Sequence, residues 1–243
     1  VKYGVKISDI ESYATDGKTC SWKLVSNKGD LKASTLVLCG GAEAIKLPQL
    51  NQLPLSSVRG QVSSMETNES ISKLSTVICH KGYLTPKSNS IHCIGATFDK
   101  DSFDTQSKPE DDEFNLNMLN KCLPELVNWS LNDVKSSKAR LRCMTPDHLP
   151  IVGSMPDIDS HKQSYPHLSK DKNWRYNQVA PVTDNLFIMT GFGARGLCSV
   201  PLCADILADD ICGTRYPVDE QMLFNLAPNR FVIRDIIRRK LDE

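Results

Sequence analysis

A short apolar strand that runs into three closely spaced glycines and then into a helix constrains this chain more than any other stretch. Residues 186–189 (LFIM) are apolar enough to predict a buried strand. Gly191, Gly193 and Gly196 follow at once, and glycine can take a positive φ or let a ligand approach the backbone closely. Apolar residues then recur at a helical spacing, at Leu197, Val200, Leu202, Cys203, Ile206, Leu207 and Ile211.

The ends of this predicted helix indicate what it could bind. Ser199 and Pro201 suit its first turn, and Gly213 suits its end. A helix that starts at a glycine turn directs unpaired N–H groups and the positive end of its dipole at one point, which favours a negatively charged ligand. An ordinary tight strand-to-helix connection would give the same pattern, so the sequence leaves both interpretations open.

Composition excludes several classes of protein. Lys plus Arg and Asp plus Glu balance at 29 each in the 243 residues, so net charge predicts neither a nucleic-acid nor a membrane partner. The nine cysteines form no C-x-x-C pair, which argues against a zinc site and a disulfide framework and favours a reducing cytoplasm. There is no membrane-spanning run and no signal peptide. We therefore expect a cytoplasmic monomer without metal.

The first fifty residues read as strands. Residues 1–7 and 21–26 predict strands, and residues 31–39 predict one that runs into Gly40 and Gly41 and a short helical piece at 42–47. A glycine pair after a strand is a weak signal for a phosphate or ribose site, because it is more often a turn. Because the chain opens within a strand pattern, we expect it to be a piece of a longer protein.

The remainder alternates short strands with turns. Residues 48–54 read as a linker, and residues 110–123 predict a helix with acidic residues in its first turn. Residues 154–181 carry most of the turn formers and read as a surface excursion. The predicted strands, which suggest an antiparallel sheet followed by a return to the first layer, are 57–65, 75–79, 82–86, 91–96, 139–144 and 147–153.

Most familiar catalytic motifs are missing from the sequence. No Gly-Lys-Ser/Thr follows the glycines, and neither G-x-S-x-G nor H-E-x-x-H occurs. The five histidines have no metal-ligand spacing. Three arginines remain in unusual surroundings: Arg59 beside Gly60, Arg142 in a strand, and Arg195 in the glycine turn. Each could bind a carboxylate or phosphate, or form a structural ion pair.

Five motifs together resemble one family. In chain order they are LVLCGG (36–41), VRGQV (58–62), YLTP (83–86), LRCMTPDHLPIVG (141–153) and GFGARGLCSVP (191–201). This order resembles that of D-amino-acid-oxidase-like flavoenzymes, which include glycine and sarcosine oxidases. GARGLCS followed by a proline and a helix is most similar to a tRNA-modifying member, which also carries an S-adenosylmethionine-dependent methyltransferase domain that is absent here.

The resemblance implies a fold of α/β plus α+β class, with a glycine-oxidase-like division into two domains. Residues 1–54 and 146–243 would form an incomplete Rossmann-like FAD-binding domain, and residues 55–145 an antiparallel-sheet substrate domain. The family begins its FAD domain with a strand–GxGxxG–helix unit that holds the pyrophosphate. No GxGxxG precedes Val1, so the chain resembles the C-terminal part of the oxidoreductase module.

The resemblance also assigns roles to residues. Val5 would lie at the adenine end of FAD, and Gly40 and Gly41 near the ribose and pyrophosphate. Arg142 would anchor the substrate carboxylate beside Tyr83, and Arg59 and Arg195 are alternatives at the flavin edge or the substrate. A reduced flavin carries negative charge, which a helix N-terminus would stabilise. The residues at this edge would be Gly191, Gly193, Ala194, Arg195, Gly196 and Leu197.

The implied reaction acts on 5-carboxymethylaminomethyl(-2-thio)uridine at the tRNA wobble position. FAD would take a hydride from the glycine-like α-carbon, and water would split the imine into the aminomethyl uridine and glyoxylate. Two other functions remain open: a free glycine-, sarcosine- or proline-type oxidase, and an inactive fragment or binding module that lacks the pyrophosphate loop.

A tRNA partner requires a basic surface. One candidate is the terminal segment 228–241, with Arg230, Arg234 and Arg238 at intervals of four residues and Arg239 and Lys240 beside them. Its charge could equally be balanced by Asp235, Asp242 and Glu243. The second candidate is the strand cluster Lys135, Lys138, Arg140 and Arg142.

Overall fold

The computed structural model describes residues 1–15, 19–125 and 127–240 of the chain. Two compact units, each with its own core, make up the structure: Val1–Ser56 together with Cys143–Glu243, and Ser57–Arg142. The sequence predicted a change of domain at residues 54/55 and 145/146, and the roles of the two units stay predictions.

Twelve strands, five helices and four short 3₁₀ helices are described. The strands are β1 (Ile7–Thr15), β2 (Thr19–Ser26), β3 (Leu31–Ala33), β4 (Leu36–Leu38), β5 (Ser56–Glu66), β6 (Ile78–Cys79), β7 (Tyr83–Leu84), β8 (Ile91–Gly95), β9 (Asp99–Lys100), β10 (Val134–Met144), β11 (Ile151–Pro156) and β12 (Val182–Thr190). The helices are α1 (Pro109–Cys122), α2 (Ile158–Ser164), α3 (Gly196–Cys212), α4 (Glu220–Leu226) and α5 (Asn229–Ile237), and the 3₁₀ helices are Gly41–Lys46, Pro48–Leu50, Leu131–Asp133 and Pro166–Ser169.

The first unit is built on two three-stranded sheets. One is the antiparallel sheet β1-β2-β3, and the other has the order β11-β12-β4, with β4 parallel to β12. In that parallel pair Leu36 lies opposite Leu186. The indole N–H of Trp22 donates to the carbonyl of Asp184 at 3.2 Å and so joins β2 to the start of β12. Apolar side chains of both sheets share one buried core, among them Ile10, Leu38, Ile151 and Ile188.

The helices of this unit cover its second sheet. Cys203, Ile206 and Leu207 of α3 pack with Val152 of β11 in one buried cluster. Gly213 ends α3 in the left-handed region at φ 66°, as the sequence predicted. A further cluster, made of Ile158, Tyr165, Leu168, Val232 and Ile236, joins α2 and the following 3₁₀ turn to α5.

The second unit is a six-stranded sheet with a helix. The strand order is β10-β5-β8-β7-β6, with β9 also paired to β5, and the pairs β5/β8, β7/β8 and β6/β7 are antiparallel. Leu116 and Leu119 of α1 pack with Met65, Leu84 and Ile94 of the sheet. The antiparallel sheet and the helix predicted from residues 57–144 are therefore confirmed.

Five local predictions need correction. Residues 1–6 are not a strand, because Gly4 turns the chain at φ 66° and pairing starts at Ile7. The predicted strand 31–39 is two strands in different sheets. Residues 48–54 are not a linker, because Leu50 and Leu53 are buried in the core. Residues 154–181 are not merely a surface excursion, because Tyr165 and Leu168 are buried against α5. The fifth is the start of α3, which begins at Gly196, before Ser199.

The helices and the side-chain clusters bear on two classes of function, membrane insertion and metal binding. No helix within the described ranges combines the length and apolar character needed to cross a membrane. The same ranges hold no group of three His, Cys, Asp or Glu side chains placed to hold a metal ion.

Candidate active site

The glycine turn after β12 is shaped by contacts within the first unit. Gly191 and Gly193 have φ values of 77° and 55°, and the N–H of Gly193 donates to the carbonyl of Cys143 at 2.9 Å. A Cβ at Gly193 would lie 2.7 Å from Met144 Sδ, and one at Gly191 would lie 2.7 Å from a methyl of Thr145. Both glycines therefore allow the turn to pack against residues 143–145, which accounts for them without a ligand.

The start of α3 does offer a ligand site. The helix begins at Gly196, earlier than predicted, with Arg195 as an N-cap that makes no side-chain capping bond. Ser199 is not a cap, since its hydroxyl donates to the carbonyl of Arg195, and Pro201 lies inside the helix. Within the described part of the chain, the N–H groups of Ala194, Gly196 and Leu197 have no acceptor. Unpaired N–H groups at a helix start favour an anion as ligand.

The exposure of this turn agrees with an open site. Ala194 and Arg195 are exposed, and the Leu197 side chain is 99% exposed. The Arg195 guanidinium has no hydrogen bond or ion pair to any described residue. Leu197 is thus a fully exposed apolar side chain beside unpaired N–H groups. This combination suits a ligand that is flat, partly apolar and negatively charged at one edge, as a reduced flavin is.

A cavity of about 800 Å³ lies beside β4 in the same unit. Val5, Cys39 and Gly40 line it together with the apolar side chains of β1 and β4. Strand β4 ends the described sheet, so its outer edge has no partner strand among the described residues. Gly41 takes a φ of 56° with open space around it, whereas Gly40 is needed because a Cβ there would lie 2.8 Å from the Ala44 methyl.

These observations bear on whether FAD fits. The structure brings Val5 and Gly40 to one cavity, and it brings Gly191, Gly193, Ala194, Arg195, Gly196 and Leu197 to one turn. Unpaired N–H groups at the turn suit the anionic edge of a flavin, and an apolar cavity beside a glycine turn suits an adenosine. The residues present therefore fit FAD at two places.

In the second unit Arg142 of β10 lies directly over Gly60 of β5. A Cβ built on Gly60 would overlap the Arg142 guanidinium, so only glycine leaves room for it. Arg142 is half-buried, and its Nη1 donates to the carbonyl of Thr97 at 3.4 Å. No carboxylate in the described ranges pairs with it. Most of the donor capacity of this guanidinium is thus left for a ligand.

Tyr83 lies close to this arginine, as predicted. Burial raises the pKa of its phenol, the neighbouring Cys93 thiol raises it further, and the Arg142 charge acts in the opposite direction. Burial likewise raises the pKa of the Cys93 thiol, and the hydrogen bond from Tyr83 opposes that shift. Both groups therefore stay protonated at neutral pH, and the single phenol O–H of Tyr83 is donated to Cys93 unless a ligand takes the place of that acceptor.

Two residues of this cluster were not predicted. Gly60 was noted only as the neighbour of Arg59, although a glycine inside a strand often marks a close approach of another group. Cys93 was counted only among the cysteines, because nothing in its local pattern indicates a contact with Tyr83.

Arg59 is a structural residue, and its guanidinium is not free to bind FAD or substrate. It is 1% exposed, and its Nη1 contacts the Asp111 carboxylate at 2.5 Å. Its Nη2 donates to the carbonyl of Gln106 at 2.6 Å and to Gln61 at 3.2 Å. Arg59 therefore forms a structural ion pair, and this pair holds the start of α1 against β5.

The C-terminal arginines do not form one basic face. Arg230 is buried and pairs with Asp147 at 2.9 Å, and Arg234 lies over the Phe231 ring at 4.7 Å. Only Arg238, Arg239 and Lys240 are exposed, and Asp242 and Glu243 lie outside the described residues. In the strand cluster Lys135 pairs with Glu66 at 2.6 Å, while Lys138 and Arg140 are exposed.

Comparisons with known proteins identify the family of this chain. A curated relative, the tRNA 5-methylaminomethyl-2-thiouridine biosynthesis bifunctional protein MnmC of Pseudoalteromonas atlantica, is 37% identical over 212 residues, which are 86% of this chain and 30% of the relative. Glycine oxidase from Geobacillus kaustophilus matches 93% of the chain with a TM-score of 0.68 and 22% identity, and the match spans 52% of that protein. Iminodiacetate oxidase from Chelativorans sp. BNC1 matches 90% of it with a TM-score of 0.65 and 19% identity, again over 52% of that protein.

The structural likenesses confirm the predicted glycine-oxidase-like fold. The chain spans 30% of the length of the curated relative and about half of the two solved structures. The family of FAD dependent oxidoreductases, abbreviated DAO, matches residues 1–210, which is most of the chain. This chain belongs to the FAD dependent oxidoreductase family.

Proposed function

We propose that this chain forms part of an oxidoreductase that removes the carboxymethyl group from 5-carboxymethylaminomethyl(-2-thio)uridine at the tRNA wobble position. The products are the aminomethyl uridine and glyoxylate. The name of the MnmC relative supports the tRNA substrate. The observation that carries the proposal is Arg142, a half-buried guanidinium beside Tyr83 with no carboxylate partner in the described ranges.

The residues of the second unit bind and orient the substrate. Arg142 pairs with the carboxylate of the carboxymethyl group, and Tyr83 donates its phenol O–H to the same group. Both side chains are partly buried, which strengthens these bonds relative to water. FAD, when bound, supplies the acceptor for the hydride that leaves the α-carbon.

The residues of the first unit hold FAD. The free N–H groups of Ala194, Gly196 and Leu197 would stabilise the edge of the flavin that becomes negative, and the cavity lined by Val5 and Gly40 would hold the adenosine. A cytoplasmic location, predicted from the cysteines, brings the protein together with tRNA.

A free small-molecule amine oxidase is the second candidate. The fold is like that of glycine oxidase and iminodiacetate oxidase, and a single arginine suits any small N-alkylglycine. Anaerobic mixing of the FAD-loaded protein with tRNA that carries the modified uridine, or with free N-methylglycine, separates the two functions. We expect bleaching of the flavin by the tRNA at concentrations where N-methylglycine has no effect, and the reverse result would favour the free oxidase.

Arg142→Ala tests the residue that carries the proposal. We expect it to block flavin reduction by the tRNA while FAD remains bound, because the carboxylate loses its anchor. Ser136→Ala is the control, since Ser136 lies on the same strand and is exposed. Equal rates for the two variants would remove Arg142 from the site. A purified protein that takes up no FAD would support the third alternative, an inert fragment.

A further inference from the structure

An exposed aromatic groove with basic side chains lies in the first unit, on a surface that the proposed chemistry does not use. The groove has a volume of about 520 Å³ and lies between residues 165–178 and the helices α4 and α5. Trp174 and Phe224 line it and are 48% and 53% exposed. Two large aromatic side chains in one exposed groove require an explanation beyond packing.

The walls of this aromatic groove are held in place by neighbouring rings. Trp174 stacks on His167 with ring centroids 4.9 Å apart and an interplanar angle of 23°. Tyr176 packs edge-on against Tyr165 at 4.8 Å, and its hydroxyl accepts the N–H of His167 at 2.9 Å. The exposed Trp174 ring therefore has a fixed partner on one side and belongs to an ordered wall rather than to a loose loop.

The charge of the aromatic groove points to an anionic partner. Lys172 and Arg175 line it, and no acidic side chain among the described residues does so. Neither cation forms an ion pair within the described ranges. Arg239 at the end of α5 donates to the carbonyl of Ser169 at 3.1 Å, which adds a positive charge next to the segment that carries the groove.

We propose that the aromatic groove binds unpaired bases of the tRNA substrate, with Trp174 and Phe224 as stacking surfaces and Lys172 and Arg175 as phosphate contacts. Proteins bind single-stranded nucleic acid with this combination, because every base has a face that stacks and every nucleotide a phosphate that needs a cation. An anticodon loop presents such unpaired bases, whereas an acidic peptide would use the cations and leave the aromatic faces without a role. This inference rests on the proposed tRNA substrate and adds where the RNA is held.

Tryptophan fluorescence gives a direct test. The protein has three tryptophans, and Trp22 and Trp129 are buried whereas Trp174 is exposed. Titration of the full chain with an unmodified anticodon stem-loop is therefore expected to quench Trp174 selectively. Trp174→Phe is expected to retain binding, measured by anisotropy of labelled RNA, and to lose the quenching. RNA binding without quenching in the unaltered protein would overturn the proposal.

Two sets of variants test the stacking and the charge separately. Trp174→Ala is expected to weaken RNA binding by about tenfold or more, and Phe114→Ala, which removes an exposed aromatic ring from α1 in the other unit, is the control. Lys172→Ala with Arg175→Ala is expected to reduce the slope of log affinity against log salt by about 0.7 per lost phosphate contact, with Lys73→Ala and Lys121→Ala as the control. If the groove variants and their controls affected RNA binding equally, the proposal would be overturned.

The outcome can be separated from that of the proposed function. If the aromatic groove binds the tRNA, Trp174→Ala raises the concentration of tRNA needed, while FAD binding and flavin reduction by saturating substrate stay unchanged. Absence of quenching in the unaltered protein and an unchanged salt slope in the Lys172→Ala, Arg175→Ala variant, together with intact flavin reduction by modified tRNA, would overturn the groove proposal and leave the proposed reaction standing. Equally tight binding of a double-stranded RNA of the same length would also count against stacking as the source of affinity.

Discussion

The guanidinium of Arg142 rests on the backbone of Gly60, and no other residue at position 60 would leave space for it. A glycine inside a strand weakens the strand, because it loses more conformational freedom on folding and has no side chain to pack. Gly60 in β5 therefore leaves the space that the Arg142 guanidinium occupies.

Gly60→Ala is expected to displace Arg142 without removing it. The added methyl overlaps the guanidinium, so the KM for the carboxylate substrate should rise about tenfold or more, which is the effect of losing one charge-assisted hydrogen bond. FAD affinity should not change. Steady-state kinetics and a thermal melt check both points, with Ser64→Ala on the same strand as the control. A normal KM in a folded variant would show that Arg142 does not hold the substrate.

Cys39 reports whether nucleotide enters the cavity beside β4. It lies at the cavity wall next to Gly40, and partial desolvation there raises the pKa of its thiol, so alkylation should be slow at neutral pH and faster as the pH rises. FAD or ADP should slow the labelling of Cys39 by iodoacetamide at least severalfold. Cys122 at the end of α1 is exposed in the other unit and should label at an unchanged rate. Mass spectrometry of the labelled peptides gives both rates, and unprotected Cys39 would exclude the adenosine from this cavity.

Leu197→Asp is expected to have opposite effects on stability and on flavin binding. A carboxylate in the first turn of α3 interacts favourably with the helix dipole and should add about 0.3–1 kcal/mol to the free energy of unfolding of the free protein. The same charge repels an anionic ring edge, so FAD affinity and the flavin reduction potential should fall. Leu202→Asp, farther along the helix, is the control. Higher stability with unaltered flavin binding would place the flavin elsewhere.

The pair Arg230–Asp147 should make the first unit sensitive to acid. Burial alone would raise the pKa of Asp147, but hydrogen bonds from Arg230 and from the N–H of Leu149 outweigh it, and the pKa lies below its ordinary value of 3.8. A lowered pKa means that the stabilisation is complete above the ordinary value and is lost as the pH falls through the lowered one. Denaturant melts between neutral and strongly acidic pH measure this loss.

Asp147→Asn removes that acid dependence and lowers stability at neutral pH. Arg230 is left buried without its charge partner, at a cost of about 2–3 kcal/mol, less than for a fully enclosed pair because a third of the Asp147 side chain is exposed. Lys135→Gln, which breaks an exposed pair with Glu66, should cost less than about 1 kcal/mol. A neutral effect of Asp147→Asn would mean that the remaining carbonyl partners of Arg230 suffice.

Local patterns were enough for the elements that lie close together in sequence. The apolar run before Gly191 predicts β12, and the helical spacing after it predicts α3. Both predictions follow because burial of an element sets the spacing of its apolar residues. Gly213 ends α3 as predicted, because the backbone leaves the helix there in the left-handed region, which glycine adopts without strain. The start of α3 was placed too late because Ser199 resembles a cap, whereas its hydroxyl bonds backward to Arg195.

Distant partners were not visible in the sequence. The four-residue spacing of Arg230 and Arg234 looks the same whether the side chains face solvent or, as here, Asp147 and Phe231. Likewise nothing near Arg59 indicates that Asp111 and Gln106 lie against it, while Arg142 finds no acid among the described residues. Arg59 and Arg142, both in strands, thus differ in role through residues that are distant in sequence.

The pairing of Leu36 with Leu186 has a consequence for how the chain acquires its structure during synthesis. Residues 57–142 are contiguous and can complete their own sheet as soon as they leave the ribosome. Strand β4, made earlier, must wait with one edge open until β12 has been translated, because contacts so distant in sequence are slow to close. The nascent protein therefore exposes an apolar strand with an unpaired edge while residues 39–181 are made, and a chaperone that shields this strand would raise the yield of folded protein.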